Sequence, residues 1–410
     1  MKKILILTAI AALAASAACT KVETITPDQA ISFEVAKYMP LTRAYNSLLD
    51  ETAAGSDIDR FFTNAWYHDG AAGFGAQRFM TDQAIVPDNA SDPTKWSPSG
   101  RNYFWPKTGS INFFSYAGSP VPTAKAEGSI TYSGVTVNNN SNILVADGAY
   151  GYSSNTTSSD NDTAAGTTGA FGQNSVTRGV PTLFHHMLAK VKFDVILDAT
   201  EDADGTALSD TKDKWMVSIT SAALSVPTVG TLAVTFSAPA STPDVAPYST
   251  TGWTSLGTYS STGFSMVTGN GAHVADPENY ETDNAITLVA VGGTQSVSQN
   301  RTGYQAAGTA QELIALGSVI PHAISTNDNV TFAMTYTIAY SYDGGTPIRE
   351  TITIPATKLT TWAPGVDTWA MNNIYTYHII IKPNGQILFD PTVETWVPEN
   401  TVANNIDKQL

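Results

Sequence analysis

Short runs of alternating apolar and polar residues recur from Ile31 to Val397, and almost nothing between them repeats at a helical period. A side-chain period of two belongs to strands with one buried face. Ile31, Phe33 and Val35 alternate with Ser32, Glu34 and Ala36. Residues 182–197 carry the longest clean strand signal: Val191, Phe193, Val195 and Leu197 share one face, Lys190, Lys192 and Asp194 the other. Runs 215–226, 232–236, 285–291 and 330–341 continue the pattern. Asp343-Gly344-Gly345 reads as a hairpin turn between 331–342 and 348–354. Residues 44–60, with Leu48, Leu49 and Ile58, are the one helical entry, and no helical stretch is present to support parallel βαβ units. The expectation is an all-β protein of packed sandwiches with Greek-key-type connections.

The end of the chain has the same character. Tyr375, Tyr377, Ile379 and Ile381 line one face of a strand, Pro383-Asn384-Gly385 turns the chain, and Ile387 and Phe389 open a last strand that Pro391 interrupts and Val393–Val397 resumes. Ile387, Phe389, Val393 and Val397 have one parity, like Ile31, Phe33 and Val35. Tyr103-Phe104-Trp105-Pro106 and residues 111–116 read as two aromatic strands joined by Lys107-Thr108-Gly109-Ser110. Residues 150–178 are polar, rich in Gly, Ser and Thr, and aperiodic, the composition of a long surface loop. An acidic stretch over 198–214 sets a boundary near 205, giving an N-terminal domain over 44–205 and a C-terminal one over 206–410; the 150–178 loop is the alternative boundary.

The first residues are organised differently. Lys2 and Lys3 precede an apolar run from Ile4 to Ala15, too short to cross a bilayer, followed by Ser16, Ala17, Ala18 and Cys19. This is a secretory signal over 1–18 with a small-residue cleavage site. Cys19 is the one cysteine in the chain. A lone thiol directly after that site points to lipidation, so no internal disulfide is expected. A polar tether and the first strand complete a propeptide over 19–43, ending at Thr42-Arg43-Ala44, where Arg43 and Ala44 flank a candidate protease cut. The formal charge is −15, and −17 without Lys2 and Lys3. An acidic chain lacking a Lys/Arg cluster excludes nucleic acid and electrostatic binding to anionic lipid.

Catalytic constellations are missing from the sequence. It contains no G-x-S-x-G, P-loop or H-E-x-x-H, and Gly73-Phe74-Gly75 continues to Arg78 rather than to a third glycine. His185 and His186 are adjacent, so a strand would point them to opposite faces, one packed and one at the surface. Asp202, Asp204 and Gly205 resemble part of a calcium loop, but Thr200 and Thr211 stand where its first and last carboxylates belong. No enzyme activity, metal or cofactor is expected. Asp162-Thr163-Ala164 resembles a short O-glycosylation acceptor, with Thr163 as the modified residue. The aromatics of 103–116 serve either as core or as a platform for sugar rings.

In order along the chain stand the signal with Cys19, the strand ending at Leu41-Thr42-Arg43-Ala44, the block from Leu183 through His185, Ala189 and Lys190 to Phe193, and the ending Tyr375-x-Tyr377-x-Ile379-x-Ile381, turn, Ile387-x-Phe389, Trp396. Together they resemble the fimbrillin family of lipoprotein-derived pilins, over nearly the whole chain. The resemblance implies two transthyretin-like β-sandwich domains and no catalysis. It further implies a precursor lipidated at Cys19, carried to the outer membrane, and cut after an arginine. Loss of the first strand then opens a groove that a neighbouring subunit's strand fills, placing the protein in a cell-surface fimbrium with other subunits, self or paralogous, as partners. Adhesion to a host or bacterial surface ligand is the implied outcome. The stretch from Ile387 to Val397 either donates itself to the next subunit or closes its own second domain. The alternative function is an outer-membrane lipoprotein that binds glycans.

Overall fold

The computed structural model describes residues 30–37, 60–69, 76–89, 92–106, 108–152, 179–197, 214–239, 244–267, 286–291, 305–306, 310–341, 348–382 and 387–396. The signal, Cys19, Arg43, Ala44, the helical entry over 44–59, Thr163, the calcium-like stretch, the Asp343 turn and Val397 all lie outside them. In chain order the strands are β1 (Phe33–Lys37), β2 (Phe61–His68), β3 (Gln77–Asn89), β4 (Asp92–Pro98), β5 (Ser110–Ser119), β6 (Ala124–Ala126), β7 (Ser129–Thr136), β8 (Asn142–Ala146), β9 (Gly148–Tyr152), β10 (Val180–His186) and β11 (Ala189–Leu197). They continue with β12 (Lys214–Phe236), β13 (Asp244–Ala246), β14 (Tyr248–Ser260), β15 (Ile286–Val291), β16 (Gln305–Ala306), β17 (Gln311–Val319), β18 (Thr331–Ser341) and β19 (Ile348–Lys358). A one-turn helix, α1 (Leu359–Trp362), precedes β20 (Asn373–Ile381) and β21 (Ile387–Thr395). The all-β reading holds.

The first sheet runs β13-β9-β5-β2-β3-β4-β1-β10-β8, and β5 also pairs with β8. Strands β5, β2, β3, β4, β1, β10 and β8 therefore close into a ring. Its interior holds one core, including Phe33, Phe61, Met80, Ile85, Trp96, Phe113 and Phe184. A second core lies between the sheet β17-β11-β20-β21 and the sheet β16-β15-β12-β18-β19, with Phe193, Phe332, Trp369 and Tyr377 among its buried side chains.

Strand β12 carries the second of these sheets on to strands from the first half of the chain. Residues 214–225 pair with β18, and residues 229–235 pair with β7 from the first half of the chain. On its other edge it meets β15 and then β14. The sequence reads this stretch as two strands, 215–226 and 232–236; the structure makes it one. A bulge between Ile219 and Ser221 moves the buried positions from Val217 and Ile219 to Ala222, Leu224 and Val226, so the apolar set stays inside despite the change of parity. At Gly230 a Cβ would stand 2.9 Å from the Trp253 ring, so glycine is what lets that indole close over the strand.

Pairing also crosses the boundary expected near 205. Strand β11 lies in the second unit, parallel to β20 and antiparallel to β17, while the far half of β12 pairs with β7. A third core fills the region between, with Tyr132, Leu188, Leu232, Trp253 and Trp396 among its members. The run over 182–197 is thus two strands in two sheets. Its break falls at Met187 and Leu188, both 0 % exposed, so no polar or glycine turn marks it in the sequence. Two further expectations change. Residues 103–106 form no strand beyond a bridge from Phe104 to Ala30, although β5 forms over the second aromatic run. Strand β21 continues through Pro391, which an edge strand tolerates because its outer side needs no N–H donor.

Candidate functional site

The site begins with three alternating apolar residues, Ile31 just before β1 and Phe33 and Val35 within it. They are 1 %, 0 % and 3 % exposed, inside the ring. Phe33 meets Phe61 and Phe113 edge-on, with ring centroids 5.6 Å apart in both cases. Phe61 in turn contacts Trp96 and Phe184. Such pairs add about 0.5–1.5 kcal/mol each beyond area burial.

Backbone pairing fixes the strand from both sides. β1 runs parallel to β10 in the register Phe33 to Val180 through Lys37 to Phe184. It runs antiparallel to β4, with Phe33 opposite Trp96. The Ile31 N–H donates to the Tyr103 carbonyl at 2.8 Å, and the Val180 N–H to that of Ser32 at 2.7 Å. β1 is therefore a stave of a closed ring whose neighbours, β4 and β10, lie far from it in sequence. Taking it out would leave a slot with unpaired backbone groups on two sides and aromatic side chains at the floor. A slot of that kind takes an extended strand with apolar residues at every second position.

The other residues singled out from sequence fall elsewhere. In β21, Ile387 and Phe389 are half-buried against the second core, whereas Val393 is 50 % exposed. That strand lies beside β20, far from β1 in the order of sheets. Of the 103–116 aromatics, Tyr103, Trp105, Phe113, Phe114 and Tyr116 are buried, and Phe104 alone is exposed. A stacking platform for sugars along this stretch is therefore not formed; the aromatics are core. His185 and His186 do face opposite ways, but neither is at the surface. His185 Nε2 stands 3.1 Å from an Asp147 carboxylate oxygen, and the His186 ring stacks on Trp396.

Sequence reasoning missed a polar cluster on the outer face of β2, β3 and β5. Asp82, with φ at +41°, accepts hydrogen bonds from Asn64 and Tyr116 at 3.0 Å and pairs with Lys125 at 3.0 Å. Burial pushes its carboxyl up, but the Asn64, Lys125 and Tyr116 hydrogen bonds and the Lys125 charge outweigh it and hold the group below the usual carboxylate range. The cluster pins β6 to the sheet, since Lys125 lies on β6. Its members are scattered from Asn64 to Lys125 with no spacing signal, so only the fold reveals it. Among the described residues no group of His, Cys, Asp or Glu converges to hold a metal ion, and no helix is long and apolar enough to cross a membrane.

No curated protein matches the chain. Among solved structures, it is similar to a fimbrial protein from Bacteroides vulgatus, at 16 % identity over 90 % of this chain and 100 % of that one, with a TM-score of 0.44. It is also similar to the tip fimbrial protein Mfa3 from Porphyromonas gingivalis with a C-terminal truncation, at 12 % identity over 90 % of this chain and 100 % of that one, TM-score 0.26. A family model described as fimbrillin-like matches residues 42–396, most of the length, and the chain belongs to the fimbrillin-like family.

Proposed function

We propose that this protein is a structural subunit of a cell-surface fimbria that assembles by strand exchange after proteolytic loss of its first strand. The observation that carries the reading is β1 with the residues just before it: Ile31, Phe33 and Val35 are buried at alternate positions along a strand that completes a ring, with both partners distant in sequence. A strand placed this way stabilises the uncut chain and leaves a defined acceptor when it departs. The family match begins at residue 42, beside Arg43, and leaves β1 outside the matched span. In this reading residues 1–18 export the chain, Cys19 carries lipid that holds the precursor to the outer membrane, and cutting between Arg43 and Ala44 releases β1. The subunit comprises two sandwich units that share β12, a division by strand pairing rather than at one residue. Its partners are other fimbrial subunits, and the assembled fimbria adheres to a host or bacterial surface ligand.

The donor we propose is the C-terminal stretch with Ile387 and Phe389, which would leave its own sheet to fill the slot of the next subunit. Each well-buried apolar anchor contributes about 1.5–3 kcal/mol, so several anchors and restored ladder hydrogen bonds offset the ordering of the strand. The deciding experiment is assembly of purified full-length protein after cutting by an arginine-specific protease. Ladders resistant to SDS are expected; a product that stays monomeric after complete cutting at Arg43 refutes strand exchange.

A further inference from the structure

Strand β21 pairs with β20 along its whole length, and its end carries a further anchor. It pairs only with β20 among the described residues, and residues 392–395 are exposed. The residue that follows, Trp396, is 3 % exposed and belongs to the core between the two units. Its ring lies 3.7 Å from that of His186 with 9° between the planes, and the Lys190 ammonium stands 4.4 Å from its centroid. Its backbone N–H donates to the Asn372 carbonyl at 2.6 Å, and the Asn372 N–H donates to that of Leu188 at 3.0 Å. The end of β21 is thus clamped by residues 186–190.

The same stretch begins at the slot. Lys37 of β1 pairs with Phe184 of β10, and the Phe184 ring lies 5.3 Å from Phe61, which itself packs on Phe33. Without β1, β10 keeps one neighbour, β8, through Phe184, His185 and His186. Only Met187 and Leu188 separate β10 from β11, so no loop is available to absorb a shift before it reaches the Trp396 clamp.

We propose that Trp396 is an intramolecular latch: it keeps β21 on its own sheet while β1 fills the ring, and loss of β1 loosens residues 186–190 and frees β21. The latch rests on the strand-exchange reading and would keep an uncut subunit from offering its C-terminal strand. It is an autoinhibitory contact whose strength differs between two states of the chain, which is what coupling between distant sites requires.

Hydrogen exchange of the uncut full-length protein tests it, read at residues 387–395 and compared with 331–341 of the same unit. Phe33→Ala weakens the ring far from β21 and should speed exchange of 387–395 by about tenfold or more, leaving 331–341 unchanged. Trp396→Ala should produce a similar acceleration alone, and adding Phe33→Ala to it should produce no more. Val35→Ala takes the place of Phe33→Ala if that chain fails to fold. Unchanged exchange at 387–395 in the ring variants, or equal acceleration with and without Trp396, overturns the latch. The measurement needs no polymer. Coupled exchange in a protein that still polymerises after truncation at Asn384 would therefore keep the coupling and overturn only the donor assignment.

Discussion

Phe33→Ala is the most informative substitution for the ring. Phe33 is 0 % exposed, opposes Trp96 and Val180 on its two sides, and meets two aromatic rings at 5.6 Å. Phenylalanine-to-alanine changes at such sites cost about 3–5 kcal/mol, a figure that already contains the aromatic pairs and the cavity left behind. Against a typical total of about 5–15 kcal/mol, the uncut chain loses about a fifth or more of its stability. Denaturant unfolding of the full-length protein, followed by far-UV circular dichroism, measures the loss as a lower midpoint. The same substitution should have no effect on protein from which residues 1–43 have been cut and washed away, because Phe33 is then gone from both chains. A destabilisation below about 1 kcal/mol in the uncut chain would refute the claim that β1 is integral to the ring, since that is the scale of surface substitutions. Equal midpoints for cut and uncut wild type would refute it as well.

The remaining predictions concern processing, pH and assembly. Cys19→Ala should abolish partitioning into the detergent phase; unchanged partitioning rules out the lipid anchor. An arginine-specific protease acting on the folded precursor should produce a new amino terminus at Ala44, and a first cut at Arg178 would count against the site. Asp82 has its folded pKa held below its ordinary 3.8, so its stabilisation is fully present above that value and is lost as pH falls through the folded pKa. The stability gap between wild type and Asp82→Asn should therefore be open at pH 7 and close in acid below pH 3.8; a gap that widens there refutes the network. Truncation after Asn384 and, separately, Phe389→Asp should block polymerisation while leaving a folded chain that is cut at Arg43; polymerisation like the parent's excludes β21 as donor.

Much of the fold was legible because period-two alternation survives in every strand that has one buried face. Ile31, Phe33, Val35 and the Tyr375–Ile381 series read directly as buried sets. What escaped was long-range. Nothing local says that β11 leaves the first unit for the second, because Met187 and Leu188 make the crossing inside a core and carry no turn chemistry. Nothing local says that β12 is continuous, because Pro227 and Gly230 look like breaks until β14 and β7 pair across them. The aromatic stretch 103–106 has the composition of a strand, but Tyr103 and Trp105 are buried from an irregular segment whose one bridge, among the described residues, is Phe104 with Ala30. The site was half visible. The inserted strand is in the sequence, whereas its floor of Phe61, Trp96, Phe113 and Phe184 comes from four separate strands.

That division has a physical consequence for how the strand can depart. The contacts of β1 with β4 and β10 are non-local, so the chain closes a long loop to make them, and among the described residues no neighbouring hairpin holds the strand in place. What retains it is burial of three side chains and the ladder on two sides, terms that act only while the strand is in register. A one-residue slip would turn Ile31, Phe33 and Val35 away from the apolar interior of the ring, so the strand is either fully seated or not seated. Partial release therefore gains little, and complete release exposes two edges at once, on β4 and on β10. An incoming strand meets the same requirement: it must present apolar residues at alternate positions and satisfy both edges together. In the proposed exchange, the closed ring would set an all-or-none condition, and a donor of the wrong parity would be refused by the buried floor.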